Sequence, residues 1–320
     1  MEIGVALPQM APGYGPGTTL AWARAIEEAG FSSVSAGERV TFSNPEMVAT
    51  LGAVAAVTER VRVLANLWVL PPLSMPMVAQ QIGTLDHLAD GRLEVAVGVG
   101  GREHDYRALG SEFGARHQRL DDKVAELKRL LAGEPPFAGA DPVGPAVLTR
   151  GGPRLLAGSM GPKSMRRAAR WADGISGFSI AGDPGEIAAA NELARTCWAE
   201  EGRPTKPRQV SGCFVALGVD DTAGVLRDFT ARYLGFLGPE LADVVAATAR
   251  ASSPDVLAEI LDGAEQAGCD EFILVPATTD LSSSRQQVRS LRLAEQHVGR
   301  AGVLERVLDF NDEETSWCCA

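Results

Sequence analysis

Positive charge is in deficit along this chain. Lys and Arg number 30 against 41 Asp and Glu, which gives a formal net charge of −11 and a pI near 5.0. Such a balance opposes attraction to a phosphate backbone or an anionic membrane surface, so no nucleic-acid or membrane partner is expected. Uninterrupted apolar runs of spanning length are also missing, and the N-terminal "MEIGVALPQM" is acidic and too short in its apolar run for a signal peptide. A cytoplasmic protein is expected. The five cysteines, Cys197, Cys213, Cys269, Cys318 and Cys319, are an odd count without paired metal-ligand spacing, so free thiols and no metal site are expected. There is no internal repeat beyond a strand–helix rhythm and no low-complexity tract. No Gly-x-Gly-x-x-Gly fingerprint follows the first apolar run, which argues against an open dinucleotide-binding sheet.

What is present is apolar material sufficient for a large core: 320 residues, 45% hydrophobic and 22% charged. That length exceeds the usual single-core size, yet an α/β barrel accommodates it as one domain; two domains are the alternative. Strand-like runs recur at 3–8, 31–36, 61–69, 92–100, "RLLAGS", "DGISGF", "VSGCFVALGV" and 271–277. Helical spacing falls between them, as in "TTLAWARAIEEAG" with a Thr cap and a Gly stop, in 77–91, and at about 116–132. Eight βα units with continuously apolar strands predict an α/β fold, a (β/α)₈ TIM barrel with insertion segments, over 1–305. Residues 306–320, "RVLDFNDEETSWCCA", are expected to form a tail without regular structure. Two stretches exceed ordinary connections, 132–153 and about 221–253, and either suits a lid or substrate loop on the upper face.

The segment "GSMGPKSMRRAARWADG" (158–174) follows a strand and opens a helix. Pro162 has a φ suited to a first helical turn, and the free N–H groups there favour an anion. Gly158 and Gly161 permit close backbone approach, and Ser159, Met160, Lys163 and Ser164 complete a phosphate loop. Simple helix capping is the competing explanation. After the fourth strand, "GVGGREHDYRALG" supplies Gly98 and Gly100 for close approach, then Arg102, His104 and Tyr106 on the rim. His104 and Tyr106 can each present a proton near neutral pH; a solvated loop capping the next helix is the alternative. His117 starts a helix within reach, His87 and His297 read as packing or capping residues, and Thr278 and Thr279 end the last strand.

The stretches "ARAIEEAGFSSV", "TERVRVLANLWVLPPLSMPMVAQQIGTLDHLADGRLEVAVGVG" and "GSMGPKSMRRAARWADG" together resemble the luciferase-like family of flavin- and deazaflavin-dependent oxidoreductases over roughly residues 1–300. The resemblance implies a ring held across the C-terminal mouth of the barrel, with its phosphate at Gly158–Ser164. It further implies a non-proline cis peptide near the end of the third strand, at Asn66, Leu67 and Trp68. The "GPKSM" loop is similar to members using coenzyme F420, a deazaflavin that passes hydride and reacts poorly with oxygen. FMN, which supports monooxygenation, is the alternative.

Where many members carry an acidic residue followed by histidine, this chain has Glu38 and then Arg39. Glu38 can act as an acid if burial raises its pKa, and Arg39 can polarise a carbonyl or bind a carboxylate; a rim salt bridge between them is the plainer reading. The expectation is a homodimeric oxidoreductase reducing an activated C=C or C=N bond of a small or peptide-like organic substrate. Catalytic groups would be His104, Tyr106 and Glu38, with Arg39 and Arg102 on the substrate beneath the 132–153 loop. A monooxygenase, a non-catalytic cofactor-binding protein and a phosphosugar lyase or isomerase on the same fold remain open alternatives.

Overall fold

The computed structural model describes residues 1–279. His297, the tail expected at 306–320, and Cys318 and Cys319 within it lie outside the described residues. Eight parallel strands close in sequence order, with the first pairing the last. They are β1 (Glu2–Ala6), β2 (Ser33–Ala36), β3 (Arg62–Val69), β4 (Leu93–Gly98), β5 (Arg154–Ala157), β6 (Gly174–Ser176), β7 (Arg208–Val215) and β8 (Glu271–Pro276). The helices are α1 (Thr18–Glu28), α2 (Met47–Ala56), α3 (Met75–Leu88), α4 (Glu103–Ala108), α5 (Arg116–Leu131), α6 (Pro162–Ala169), α7 (Pro184–Glu200), α8 (Thr222–Leu234), α9 (Pro239–Ala246) and α10 (Pro254–Gln266). This is the (β/α)₈ barrel that the strand rhythm predicts. None of the described helices is long and apolar enough to cross a membrane.

Both faces of each strand are buried, which is why the strands read as unbroken apolar runs. Val5, Val34, Val63, Val95 and Leu274 point outward into one core with Trp22, Ile26, Leu51, Ile82 and Leu261 of the surrounding helices. Alternate residues point inward, and Ala6, Leu64, Ala96, Leu156, Val210 and Ile273 fill the barrel as a layer. Leu64, Leu156, Val210 and Ile273 each contribute roughly 1.5–3 kcal/mol by leaving water. The barrel floor is charged instead. Glu2, Glu94 and Glu271 form a network with Arg62, Arg154 and Arg208 at the strand starts, with Arg154–Glu94 at 2.6 Å and Arg208–Glu271 at 2.6 Å. Gly4 leaves room for this layer, since a Cβ there would stand 2.1 Å from Ser33 Oγ and 2.9 Å from Glu271 Oε1.

Two expectations need correction. Helix α1 is not capped by a threonine side chain: its N-cap is Gly17 at φ 84°, and Thr18 Oγ1 instead accepts the Gly15 N–H at 3.1 Å. More importantly, the 132–153 stretch is no lid. It connects α5 to β5, and a connection from helix to strand must return to the floor of the barrel, opposite the mouth. There Asp86 Oδ2 accepts the N–H groups of Leu148 at 2.7 Å and Thr149 at 3.0 Å, and His87 Nε2 meets Ala146 O at 2.7 Å. His87 thus anchors a connection, as a packing residue should. The stretch lies so close to α3 that a Cβ on Gly83 would stand 2.2 Å from Pro145 O. Gly83→Ala is therefore expected to cost about 1–3 kcal/mol by overpacking. Chemical denaturation reads that loss, and ligand binding by the folded fraction should be unchanged.

Candidate active site

The mouth of the barrel holds a cavity of about 850 Å³, bounded by the ends of β1 to β8 and by the segment after β7. That segment, 221–253, supplies the cover that 132–153 does not: Tyr233, Leu234, Phe236, Val245 and Thr248 all face the cavity. It springs from a strand end, which is the correct side of the barrel for a lid. Phe214 and Phe229 anchor it, with Phe214 packing edge-on against Tyr233 at 5.1 Å.

One wall is built around the β2 and β3 ends. The peptide bond between Asn66 and Leu67 is cis, at the place the resemblance implied, and β3 shifts register between Asn66 and Trp68. Gly37 is required beside it, because a Cβ there would stand 2.7 Å from Asn66 O. Asn66 Oδ1 accepts the Ser176 hydroxyl at 2.8 Å, and Asn66 and Leu67 face the cavity. Trp68 does not. Its side chain is 1% exposed and points outward into the strand–helix core, because neighbouring strand residues face opposite ways. The Leu67 side chain lies between two glycines: a Cβ would stand 2.4 Å from Leu67 Cδ2 on Gly158 and 3.2 Å from Leu67 Cδ1 on Gly98. Gly98 thus serves Leu67, whereas Gly100, at φ 62°, and Gly158 line the cavity itself.

Glu38 follows Gly37 into this wall. Its backbone N–H donates to Leu67 O at 3.3 Å, and Val69 N–H donates to its Oε2 at 2.7 Å. Burial pushes its carboxyl up to about 7, against the Val69 N–H, and the charges of Glu46 and Asp105 push the same way. A salt bridge with Arg39 is not formed. Arg39 has no hydrogen-bond or ion-pair partner among the described residues; its guanidinium lies 3.6 Å over the Phe42 ring. Arg102 lies between the rings of Tyr233 and Phe236, 4.5 Å from each, and both arginines face the cavity.

The opposite wall is the start of α6. Pro162 occupies its first turn, and Gly158, Ser159, Met160, Gly161 and Ser164 all line the cavity. Ser164 Oγ accepts the Gly161 N–H at 3.2 Å and donates to Gly161 O at 2.9 Å, so capping and cavity lining coexist. Lys163 is exposed and off the cavity wall. The cation facing the loop is Arg167, three residues beyond Ser164 on the same helix face, held by an ion pair with Asp121 and by donation to His117 O at 2.8 Å. Helical spacing from Ser164 is the signal that could have found it. His117 lines the cavity too, with its pKa lowered by burial and by Arg116 and Arg167.

The remaining candidates fall away from the cavity. His104 is exposed on α4 and is not part of the lining. Tyr106 is fully buried behind the rim, its hydroxyl donates to Val99 O at 2.5 Å, and burial pushes it up to about 12. Neither can hand a proton to a molecule in the cavity. The cause is the short helix α4, which turns Tyr106 inward and His104 outward. Thr279 donates to Pro12 O at 2.6 Å, and Cys197, Cys213 and Cys269 are buried free thiols.

Comparison with known proteins agrees with this architecture. Among curated proteins, an uncharacterised protein of Mycobacterium tuberculosis is 30% identical over 175 residues, covering 51% of this chain and 59% of that protein. The chain therefore matches somewhat over half the length of that relative. A 4-hydroxyprotoasukamycin monooxygenase of Streptomyces nodosus subsp. asukaensis is 29% identical over 147 residues, 42% of this chain and 39% of that protein. Among solved structures, an F420-dependent secondary alcohol dehydrogenase in complex with an F420–acetone adduct superposes with a TM-score of 0.70 at 18% identity, covering 91% of this chain and 99% of that one. A type II Baeyer–Villiger monooxygenase of Pseudomonas putida in complex with FMN gives 0.69 at 17% identity, with 93% and 97% covered. The model of the luciferase-like monooxygenase family matches residues 1–254, and the chain belongs to that family.

Proposed function

We propose that this protein is a coenzyme F420-dependent oxidoreductase that reduces an activated C=C or C=N bond of an organic substrate. The observation that carries this reading is Glu38. A reduction of this kind adds a hydride and a proton, and Glu38 is a partly buried carboxyl on the cavity wall that retains its proton up to about pH 7. Family membership supports a redox enzyme, and the solved relatives include proteins whose ligands are F420 and FMN.

The residues present fit a tricyclic ring with a phosphate. The cavity of about 850 Å³ is within the range of cofactor sites. Leu67, Gly100 and Gly158 leave a wall without bulky projections, and the free N–H groups at the start of α6, with Arg167 behind them, suit an anion. When bound, a reduced deazaflavin supplies a hydride, and a reduced flavin supplies a hydride or activates oxygen. The chain's own part is to hold that group between the Leu67 wall and α6, to exclude water beneath the Tyr233–Thr248 cover, and to keep a proton on Glu38. Arg167→Gln is expected to raise the coenzyme Kd about tenfold, a change of about 1.4 kcal/mol, with kcat at saturation within about twofold. Equilibrium titration and saturating kinetics check the two parts.

An FMN-dependent monooxygenase is the second reading, favoured by the sequence similarity to a monooxygenase over 42% of the chain. Titrating the protein separately with F420 and FMN, and following reoxidation of each reduced form with and without oxygen, decides between the two. Oxygen-independent turnover with F420 is expected; turnover only with FMN and oxygen would establish the second reading.

A further inference from the structure

Arg39 and Arg102 bring positive charge to the cavity that forms no ion pair with a carboxylate among the described residues. Both guanidinium groups line the cavity, and the positive charge of Arg102, after burial, acts to lower the Arg39 pKa to about 10. Arg39 Nε and Nη1 and Arg102 Nε are buried without a hydrogen-bond partner. Burying a charge with unmet donors is costly unless an anion meets it.

The nearby carboxylates do not serve. Asp105 already accepts both the N–H and the hydroxyl of Thr41, the N–H at 2.7 Å. Glu38 has its Oε2 on the Val69 N–H at 2.7 Å. The third cation of the group, Arg232, donates to Ser43 Oγ at 2.6 Å and to Met10 O at 3.2 Å, so it adds positive charge without competing for an incoming anion. Phe42, Tyr233 and Phe236 hold the two guanidinium planes in place by ring contacts of 3.6 to 4.5 Å. Arg102 Nη2 donates to Tyr233 O at 3.1 Å, which leaves Arg39 Nη2 and Arg102 Nη1 as the terminal N–H groups that are neither buried nor hydrogen-bonded among the described residues, donors of the kind that bind a carboxylate.

Resting on the oxidoreductase reading above, we infer that Arg39 and Arg102 form a carboxylate subsite and that the substrate is an organic acid whose reacting bond lies beside Glu38. The anionic end would sit on the β2–β4 side of the mouth, across the cavity from the α6 loop, so the two anion sites take different groups. An acidic group on the coenzyme is the other source of a carboxylate here, and the test separates them.

Calorimetric titration with trans-cinnamate and its uncharged analogue trans-cinnamamide, on coenzyme-free protein and on protein incubated with F420 or FMN, reads the subsite directly. The wild-type protein is expected to bind the acid at least about tenfold more tightly than the amide. Arg39→Gln should abolish that preference, Arg39→Lys should retain part of it, and neither should change the coenzyme Kd by more than about twofold. Circular dichroism confirms that each variant is folded, and Arg102→Gln gives a second, independent loss of preference. Equal binding of acid and amide by the wild type, or no binding of either, would overturn the inference. So would an Arg39→Gln variant that loses coenzyme affinity while keeping the acid preference, because the pair would then serve the coenzyme. Acid preference in a protein that binds neither coenzyme would leave the subsite standing and remove the oxidoreductase reading instead.

Discussion

Glu38→Gln is expected to lower turnover by a factor of about 10² to 10⁴ while leaving coenzyme affinity within about twofold. The amide keeps the shape of the carboxyl and can still accept the Val69 N–H, so the wall is retained and only the transferable proton is lost. The same group sets the pH profile. Glu38 must be protonated to act, so wild-type kcat should be level below pH about 7 and fall above it. The variant's residual rate should not show that fall.

A stability effect of opposite sense accompanies this. The folded carboxyl titrates near 7 against an ordinary value of 4.5, so between those values the native state holds a proton that the unfolded chain has released. Stability from this group is full below 4.5 and is lost as the pH rises through 7. The loss is roughly 3 kcal/mol, at about 1.4 kcal/mol per pH unit of displacement. Relative to the wild type, the glutamine variant should therefore gain stability on going from pH 5 to pH 8, as measured by urea denaturation at each pH. A parallel dependence in both proteins would show that Glu38 is not buried as described.

Glu271→Ala is expected to be the most damaging single change outside the mouth. Glu271 is 0% exposed, and its Oε1 accepts the hydroxyls of Ser32 and Ser33, each at 2.6 Å. Its Oε2 meets Arg62 at 2.7 Å and Arg208 at 2.6 Å. Removing it leaves two half-buried guanidinium groups with only Glu2 and Glu94 to share and two hydroxyls without their acceptor. Breaking a buried charge pair by deleting one partner costs about 3–5 kcal/mol, much of a typical domain's stability. The variant is expected to unfold at markedly lower urea. If its midpoint matched that of the wild type, the charged floor would contribute nothing to barrel closure.

The barrel was legible because each strand is buried on both faces and therefore stays apolar along its length; Val63, Leu64 and Ala65 in β3 illustrate this. The helix start at Pro162 was legible because proline fixes φ near the value of a first helical turn. Which side chains reach the cavity was harder to read, because that depends on helix phase. Lys163 and Arg167 are both cations on α6, and only the second faces inward. His104 and Tyr106 share a run rich in proton donors, yet a single short helix sends one to solvent and the other behind the rim. The 132–153 stretch has the composition of a lid, but its place between a helix and a strand assigns it to the floor. Connectivity outweighs composition there, and the same rule identifies 221–253 as the cover.

A crystal structure of the protein grown with reduced F420, and in parallel with FMN, locates the coenzyme in the mouth. The ring is expected against Leu67 within reach of Glu38, with the phosphate at the first turn of α6 and Arg167 behind it. A mouth left vacant at saturating coenzyme, or a phosphate bound away from α6, would contradict that placement.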